Sequence, residues 1–173
     1  MWTEQIAGER FTAVEPTPLL AACIAAGREA LAGALGDRAR VEVSSGWDFD
    51  DSTTLVPSIV VTATGSSNGS AHVPDLVVEF RTESTGRYIL GPKRMVYSRY
   101  RVPEFWYADP LHRRIAVLRS EAGGEYEWPP LLFGEGDALE LSRFPGASLP
   151  ASSLLGPGFV RSLPADDEAW LAS

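Results

Sequence analysis

The chain has 173 residues, a formal net charge of −8 and 45% apolar residues. This length is typical of one domain with a single hydrophobic core, so we expect one domain over residues 1–173, with its core at about 15–155 and an irregular C-terminal tail. The acidic balance excludes the global positive field that attracts nucleic acid, so a nucleic-acid partner would require a local basic patch.

The N-terminal sequence and the lack of a long apolar run predict a cytoplasmic protein. The first residues lack the basic region and apolar core of a secretory signal, and no apolar run approaches the length of a membrane span. Cys23 is the only cysteine, which excludes an intramolecular disulfide and a cysteine metal cluster. We therefore expect a cytoplasmic location and no membrane partner.

The first part of the chain predicts an irregular lead-in followed by one amphipathic helix. Residues 1–16 are mixed in character. Thr17-Pro18 has the form of a helix start and Gly36 that of a helix end. Gly27 falls on the apolar stripe of this helix, where it indicates either a weakened helix or a close approach of another backbone.

Two strands are predicted next, separated by an acidic turn. Residues 38–44 alternate in hydrophobicity and residues 55–62 are rich in valine and isoleucine. The aspartates of residues 46–52 lack the glycine and the distal glutamate of an EF-hand calcium loop. Residues 65–70 are expected to form a polar loop.

The strand at residues 73–80 carries the most informative side chain. Alternation places Asp75, Val77 and Glu79 on one face and an apolar set on the other. Carboxylates are rarely buried without a partner, so Glu79 indicates a metal, a salt bridge or an exposed sheet face. If the loop between this strand and the preceding one is centred near Asn68, antiparallel partners have numbers that sum to about 137, and Ser58 stands opposite Glu79.

The second half predicts a helix and several strands. Gly91-Pro92 has the form of a helix start, with Pro92 at the first helical position. Residues 104–108 read as a strand with Trp106 on the face opposite Phe105 and Tyr107. His72 and His112 are expected at the surface. The remaining predicted elements are strands at 114–118, around 126–133 and at 138–141, then loop from Ser142 with a helical turn at 166–171.

Basic residues concentrate in the same third of the chain as Glu79. They are consistent with a nucleic-acid-binding patch or with a solvated helix face. Trp106 and Tyr107 are expected to be core residues rather than base-stacking platforms. The basic set is Arg81, Arg87, Lys93, Arg94, Arg99, Arg101, Arg113 and Arg114.

These motifs, taken in order, resemble the Uma family of putative restriction endonucleases, which adopt the PD-(D/E)xK nuclease fold. The resemblance implies a mixed α+β (α/β) fold: a restriction-endonuclease-like central mixed sheet flanked by helices, with extra antiparallel strands. It covers roughly residues 15–155. The motifs that carry it are PDLVVE at 74–79, EST at 83–85, Lys93 with Tyr97, PEFWYADP at 103–110 and FPG at 144–146.

The resemblance implies a Mg²⁺-dependent endonuclease that hydrolyses phosphodiester bonds of DNA. In such an enzyme an aspartate and a glutamate hold Mg²⁺, which activates a water molecule, and a lysine stabilises developing charge. Glu79 matches the metal-binding glutamate and Lys93 the lysine. Related folds often pair, so a homodimer is expected.

The chain departs from the family pattern where the metal aspartate is expected. That position is Ser58, a neutral and poor Mg²⁺ ligand. Asp75 is a doubtful replacement, because it precedes Glu79 by four residues, which span about 13 Å along a strand, too far for both to bind one ion. Asp75 is expected to cap a turn instead. Arg81 either contacts phosphate, as Arg94 also would, or pairs with Glu79 in place of the metal; we favour the pairing with Glu79.

Two hypotheses about function follow. The first is a metal-dependent endonuclease, weakened by the loss of the aspartate. The second is a pseudo-enzyme, a catalytically inactive nuclease-fold protein that serves in binding or assembly. They differ in whether the site at Glu79 and Ser58 still holds a divalent cation.

Overall fold

A computed structural model describes residues 2–13, 15–43, 46–65, 73–120 and 124–157. His72 and the helical turn expected at 166–171 lie outside these residues. The strands are β1 Trp2–Ile6, β2 Glu9–Ala13, β3 Ala39–Val43, β4 Trp47–Asp50, β5 Thr53–Leu55, β6 Ile59–Ala63, β7 Leu76–Phe80, β8 Glu104–Asp109, β9 Arg114–Arg119, β10 Leu131–Gly134, β11 Ala138–Glu140 and β12 Ser148–Pro150. The helices are α1 Pro18–Leu35, α2 Gly86–Tyr88, α3 Arg94–Arg99 and α4 Ser152–Leu155, with a π-helical segment, Ile89–Lys93, joining α2 to α3.

A six-stranded sheet in the order β10-β9-β8-β7-β6-β3 forms the centre of the fold. Its neighbouring strands are antiparallel except β7 and β8, which are parallel and are connected through the α2–α3 helix. A parallel pair requires such a crossover. The expected mixed sheet flanked by helices, with extra antiparallel strands, is therefore confirmed.

The two faces of this sheet carry separate apolar clusters. Val78 and Trp106 face α1, whereas Val77, Phe105 and Tyr107 face the α2–α3 helix. This alternation is the one predicted for both strands, and the aromatic side chains of β8 are core residues as expected. Glu79 shares the face of Val77 and therefore points toward α3.

Helix α1 has the predicted bounds. The Thr17 hydroxyl accepts a hydrogen bond from the Leu20 N–H at 3.3 Å, and Gly36 ends the helix with φ of 53°. Gly27 marks a close approach of side chains rather than of another backbone, because a Cβ there would lie 2.4 Å from Cδ2 of Leu154. Contrary to the sequence-based expectation, this helix with the turn up to Arg38 is long and apolar enough to cross a membrane by length and composition, a test that core helices of soluble proteins also pass.

Several segments differ from their predictions. The acidic turn expected at residues 46–52 contains strand β4, which pairs with β5. Residues 2–13 form a hairpin rather than an irregular lead-in, within a second sheet of order β2-β1-β5-β4. The strand predicted at 55–62 is two strands, because the chain leaves that second sheet at Leu55 and enters the central sheet at Ile59. Beyond Ser142 the chain forms β12, which pairs with β11, and then α4. Pairing and packing on α1 order this segment despite its loop-like composition.

Candidate functional site

Glu79 lies near the end of β7 and is only 3% exposed. Its Oε1 atom lies 2.5 Å from the Lys93 amine and accepts a hydrogen bond from the Tyr97 hydroxyl. The structure thus brings together the two residues that the sequence predicts as catalytic, Glu79 and Lys93. Of the three alternatives for Glu79, the structure has the salt bridge, and its cation is Lys93.

The irregular helix at residues 86–99 places the lysine and the tyrosine. Pro92 lies inside this helix rather than at its start, so the predicted boundary is wrong. A proline has no N–H and clashes with the carbonyl four residues earlier in an α-helix. The wider π-helical turn relieves this conflict, and the Arg94 N–H reaches back five residues to the Ile89 carbonyl. Lys93 is consequently turned inward and is 4% exposed.

A second carboxylate, Glu4, reaches the same lysine from the N-terminal hairpin. Its Oε1 atom lies 2.7 Å from the Lys93 amine and accepts a hydrogen bond from the Val56 N–H, also at 2.7 Å. The ring of Phe11 on β2 packs on Tyr88, with centroids 5.2 Å apart, and this contact docks the hairpin on the helix. Sequence reasoning missed Glu4. The sequence feature that could have indicated the hairpin is Ala7-Gly8, a possible two-residue turn between two segments that contain apolar residues. Alanine is unusual in such turns, so the signal is weak.

The three charged groups form a buried cluster, which we call the Glu4–Lys93–Glu79 cluster. Burial is the largest influence on Glu79 and raises its pKa, while Lys93 opposes this effect and Glu4 adds to it. Burial lowers the pKa of Lys93, but the two carboxylates outweigh it and the pKa is raised overall. Burial, followed by Glu79, raises the pKa of Tyr97 well above its usual value, so the phenol stays protonated and donates to Glu79.

The cluster borders a cleft of about 180 Å³. This volume corresponds to about six water molecules. Glu4, Ser58, Glu79, Tyr88 and Lys93 all line it, together with apolar side chains of α1.

Ser58 lies beside Glu79, as the sequence predicts. The observed partners Ile59–Val78, Val60–Val77 and Val61–Leu76 all sum to 137, so the predicted register is confirmed. The Ser58 hydroxyl accepts a hydrogen bond from the Phe80 N–H at 3.2 Å. Ser58, where the resemblance leads us to expect a metal aspartate, thus lines the cleft but carries no charge.

Asp75 does not join this cluster. Its Oδ2 atom accepts a hydrogen bond from the Ala63 N–H at 2.8 Å, and Arg143 lies 3.5 Å from Oδ1. It therefore ties the start of β7 to the end of β6, in keeping with the expected capping role. Its distance along the strand from Glu79 argues against the shared metal ion that the sequence left as a doubtful reading.

The expected pairing of Arg81 with Glu79 is wrong. Arg81 is 6% exposed and contacts Oδ2 of Asp109 at 3.0 Å and Nδ1 of His112 at 3.0 Å. Strand β7 ends at Phe80, so Arg81 lies just beyond the strand. It pairs there with Asp109, the last residue of the neighbouring parallel strand β8. His112 is likewise not a surface residue, since its side chain is only 11% exposed.

The other predicted phosphate contact, Arg94, is partly exposed. Its guanidinium donates to the Leu90 carbonyl at 2.8 Å and stacks over the Trp128 ring at 5.1 Å. Arg94 remains a prediction as a phosphate contact, whereas the burial of Arg81 argues against such a role. Of the basic set, Arg81 and Lys93 are buried in ion pairs, Arg94, Arg113 and Arg114 are partly exposed, and Arg87, Arg99 and Arg101 are exposed.

The residues present do not fit the Mg²⁺ ion implied by the family. Mg²⁺ requires oxygen ligands at about 2.0–2.1 Å in octahedral geometry. The two carboxylates of the cluster converge on a point held by the Lys93 amine, and Ser58 offers only a hydroxyl. Within the described part of the chain no group of three or more His, Cys, Asp or Glu side chains is placed to hold a metal ion.

Comparison with known proteins agrees with this fold. A crystal structure of a putative nuclease belonging to DUF820 from Anabaena variabilis superimposes with a TM-score of 0.70 at 17% identity, over 88% of this chain and 89% of that chain. No curated protein matches the chain. The sequence profile of the Uma2 family, described as putative restriction endonuclease, matches residues 15–152. The chain therefore belongs to the Uma2 family of putative restriction endonucleases.

Proposed function

We propose that this chain is an impaired endonuclease of its family, built to act on phosphodiester bonds of DNA but with weak metal-dependent cleavage. The observation that carries the proposal is the Lys93 amine held between Glu79 and Glu4, beside a neutral Ser58. The lysine and glutamate expected of a nuclease are in contact at a cleft, but a second acidic ligand beside Glu79 is replaced by a hydroxyl.

The remaining chemistry suits a phosphodiester substrate. A phosphate in the cleft would lie near the Lys93 ammonium, the kind of preorganised positive charge that stabilises a developing anion. Glu79, with its raised pKa, holds a proton more readily than a solvent-exposed glutamate, which suits a group that exchanges a proton during a reaction. Maintaining such a buried charged cluster is costly, and functional sites are where perturbed ionisable groups gather.

The impairment has a specific physical cause. Both carboxylates already neutralise Lys93, and each also accepts a second hydrogen bond, from Val56 or from Tyr97. An aspartate at position 58 would add a carboxylate beside Glu79. A divalent cation would then have two acidic ligands there while Lys93 stays on Glu4.

The second candidate is an inactive nuclease-fold protein that binds nucleic acid. The exposed Arg87, Arg99 and Arg101 on or next to the α2–α3 helix favour this reading, because they leave positive charge at the surface without requiring the cleft. In that case binding would depend on these arginines and would be insensitive to changes in the Glu4–Lys93–Glu79 cluster.

Plasmid cleavage with Mg²⁺ or Mn²⁺ tests the proposal. We expect slow cleavage by the natural chain, none by Glu79→Gln, and a gain of about tenfold or more in Ser58→Asp, equivalent to about 1.4 kcal/mol of transition-state stabilisation. Ser58→Asn, similar in size but uncharged, is the matched control and should show no gain.

Two results would reject the proposal of an impaired endonuclease. Fast cleavage by the natural chain that Ser58→Asp leaves unchanged would mean that the serine is no defect. Absence of cleavage in both, combined with salt-sensitive DNA binding that Arg87→Ala and Arg99→Ala weaken, would establish the binding protein instead.

A further inference from the structure

Three oxygen atoms surround the Lys93 amine within the described part of the fold. They are Oε1 of Glu79 at 2.5 Å, Oε1 of Glu4 at 2.7 Å and the carbonyl oxygen of Val56 at 3.3 Å. Two carboxylates and a backbone carbonyl are also the kinds of ligand that hard divalent cations take from proteins. The amine thus occupies an oxygen-lined position that has the chemistry of a cation site.

These oxygens are oriented by groups other than the lysine. The Val56 N–H holds the Glu4 carboxylate and the Tyr97 hydroxyl holds the Glu79 carboxylate. Hydrogen bonds of this kind, one step beyond the ligands themselves, fix metal ligands in place and contribute strongly to affinity. The oxygen set should therefore retain much of its geometry when the amine is removed.

We propose that Lys93 is the built-in cation of this site, and that the amine and a divalent metal ion are alternative occupants of the Glu4–Glu79 oxygen set. In the natural chain the amine then competes with divalent cations for these carboxylates and keeps their binding weak, and removal of the amine strengthens that binding. Glu4 lies outside residues 15–152, so half of the acidic pair comes from beyond the segment that the family profile matches.

Charge and size decide which cation the emptied position would take. Removing the amine leaves two formal negative charges, which one divalent ion neutralises. The amine–oxygen distances are longer than Mg²⁺–oxygen distances and closer to the 2.3–2.6 Å or so that Ca²⁺ accepts. The adjacent cleft has room for the water ligands that complete the coordination shell. We therefore expect Ca²⁺ to bind at least as well as Mg²⁺, with Mn²⁺ as a usable probe.

The test is calorimetric titration of the folded full-length chain with CaCl₂ and, separately, MnCl₂. Lys93→Ala should bind one ion and show a rise in thermal midpoint as the cation concentration increases. Lys93→Arg keeps a cation in place and should bind the ion no more tightly than the natural chain does. The double variant Glu4→Gln/Lys93→Ala should lose most of the affinity gained by Lys93→Ala.

Each result of the titration either supports or overturns the proposal that Lys93 and a divalent ion are alternative occupants. A folded Lys93→Ala that binds no divalent ion, or whose binding persists when Glu4 is neutralised, overturns the proposal. The natural chain supplies an independent arm: if it binds a divalent ion as tightly as Lys93→Ala does, and Glu79→Gln abolishes this binding, the amine does not compete with the metal and the proposal is rejected. If Lys93→Ala folds only when Ca²⁺ or Mn²⁺ is present, the proposal is supported; if neither ion restores folding, it is rejected.

The inference uses the same carboxylates as the proposed function but does not depend on cleavage. Binding and thermal stability are its readouts, whereas the impaired-endonuclease proposal is judged by plasmid cleavage in Ser58→Asp. An inactive Ser58→Asp with metal-binding Lys93→Ala would separate the two, as would the reverse result.

Discussion

Glu4 contacts the amine of Lys93, 89 residues further along the chain, at 2.7 Å. Through this contact the N-terminal hairpin is joined to the irregular helix, and both are joined through Lys93 to Glu79 on the central sheet. The cluster carries two acidic groups and one basic group within a buried site. Its stability and its proton binding therefore depend on all three residues together.

Removal of the lysine amine should destabilise the protein strongly. Lys93→Ala leaves two buried carboxylates facing each other, and breaking a buried ion pair typically costs about 3–5 kcal/mol. Urea unfolding in the presence of a chelator measures this loss. Arg99→Ala is the control, because Arg99 is exposed and its guanidinium lies over the Tyr100 ring, 5.6 Å from its centroid; it should cost about 1 kcal/mol or less. Equal losses in the two variants would contradict the central role of Lys93.

Stability should fall as pH rises above the usual pKa of glutamate. The folded chain holds a proton on Glu79 above the value of 4.5 expected for the unfolded chain, mainly because the carboxyl is buried. The resulting stabilisation is fully present below 4.5 and is lost as pH rises through the raised pKa of the folded state. Lys93, whose pKa is raised above 10.5, keeps its charge throughout this range.

Glu79→Gln isolates this effect because it removes the titrating group and keeps the side-chain shape. We expect the free energy of unfolding of the natural chain, relative to Glu79→Gln, to decrease over the pH interval above 4.5. Urea unfolding at several pH values measures the difference. A difference that increases with pH over this interval would mean that the folded chain lowers the pKa of Glu79.

The second buried ion pair should contribute to stability independently of the candidate site. Asp109 is fully buried and accepts from Arg81 at 3.0 Å and from His112 at 2.7 Å. Asp109→Asn removes the charge that compensates the buried guanidinium, and a loss of about 3–5 kcal/mol is expected. Glu135→Gln is the matched control: the Glu135 side chain is 58% exposed where it pairs with Arg113, so its loss should cost about 1 kcal/mol or less. The prediction fails if Asp109→Asn is as well tolerated as the control.

Local sequence patterns predicted the features of the fold that are determined by residues close in sequence. Thr17-Pro18 and Gly36 set both ends of α1, and a loop centre near Asn68 was sufficient to place Ser58 opposite Glu79. The resemblance supplied Lys93, which the structure places in contact with Glu79. These successes share a cause, since helix caps and antiparallel register are determined by residues close in sequence.

The parts that sequence reasoning missed depend on distant contacts. Glu4 became a site residue only because the hairpin packs on Tyr88. Pro92 was read as a helix start, because its accommodation in a π-helical turn has no local signal. Arg81 follows Glu79 by two residues, which suggested a shared face, but the strand ends between them and the buried Asp109 is the partner.

Two glycines of α1 should respond in opposite ways to the same substitution. At Gly27 a methyl group would lie 2.4 Å from Leu154 Cδ2 and 3.3 Å from Phe80 Cζ, in the packed interface between α1, α4 and the sheet. Overpacking of this kind costs about 1–3 kcal/mol, which exceeds the gain of about 1 kcal/mol in helix propensity on replacing glycine by alanine. Gly27→Ala should therefore be destabilising by about 1 kcal/mol.

Gly33 provides the comparison within the same helix. It is exposed, and nothing lies within 4 Å of the position that a Cβ would occupy. Gly33→Ala gains helix propensity without a steric cost and should stabilise by about 0.5–1 kcal/mol. Thermal and urea unfolding of the two variants measure the signs. If both substitutions stabilise, the Leu154 side chain moves aside for the methyl group at little energetic cost. The packing of α4 on α1 then adjusts more easily than its short interatomic distances imply.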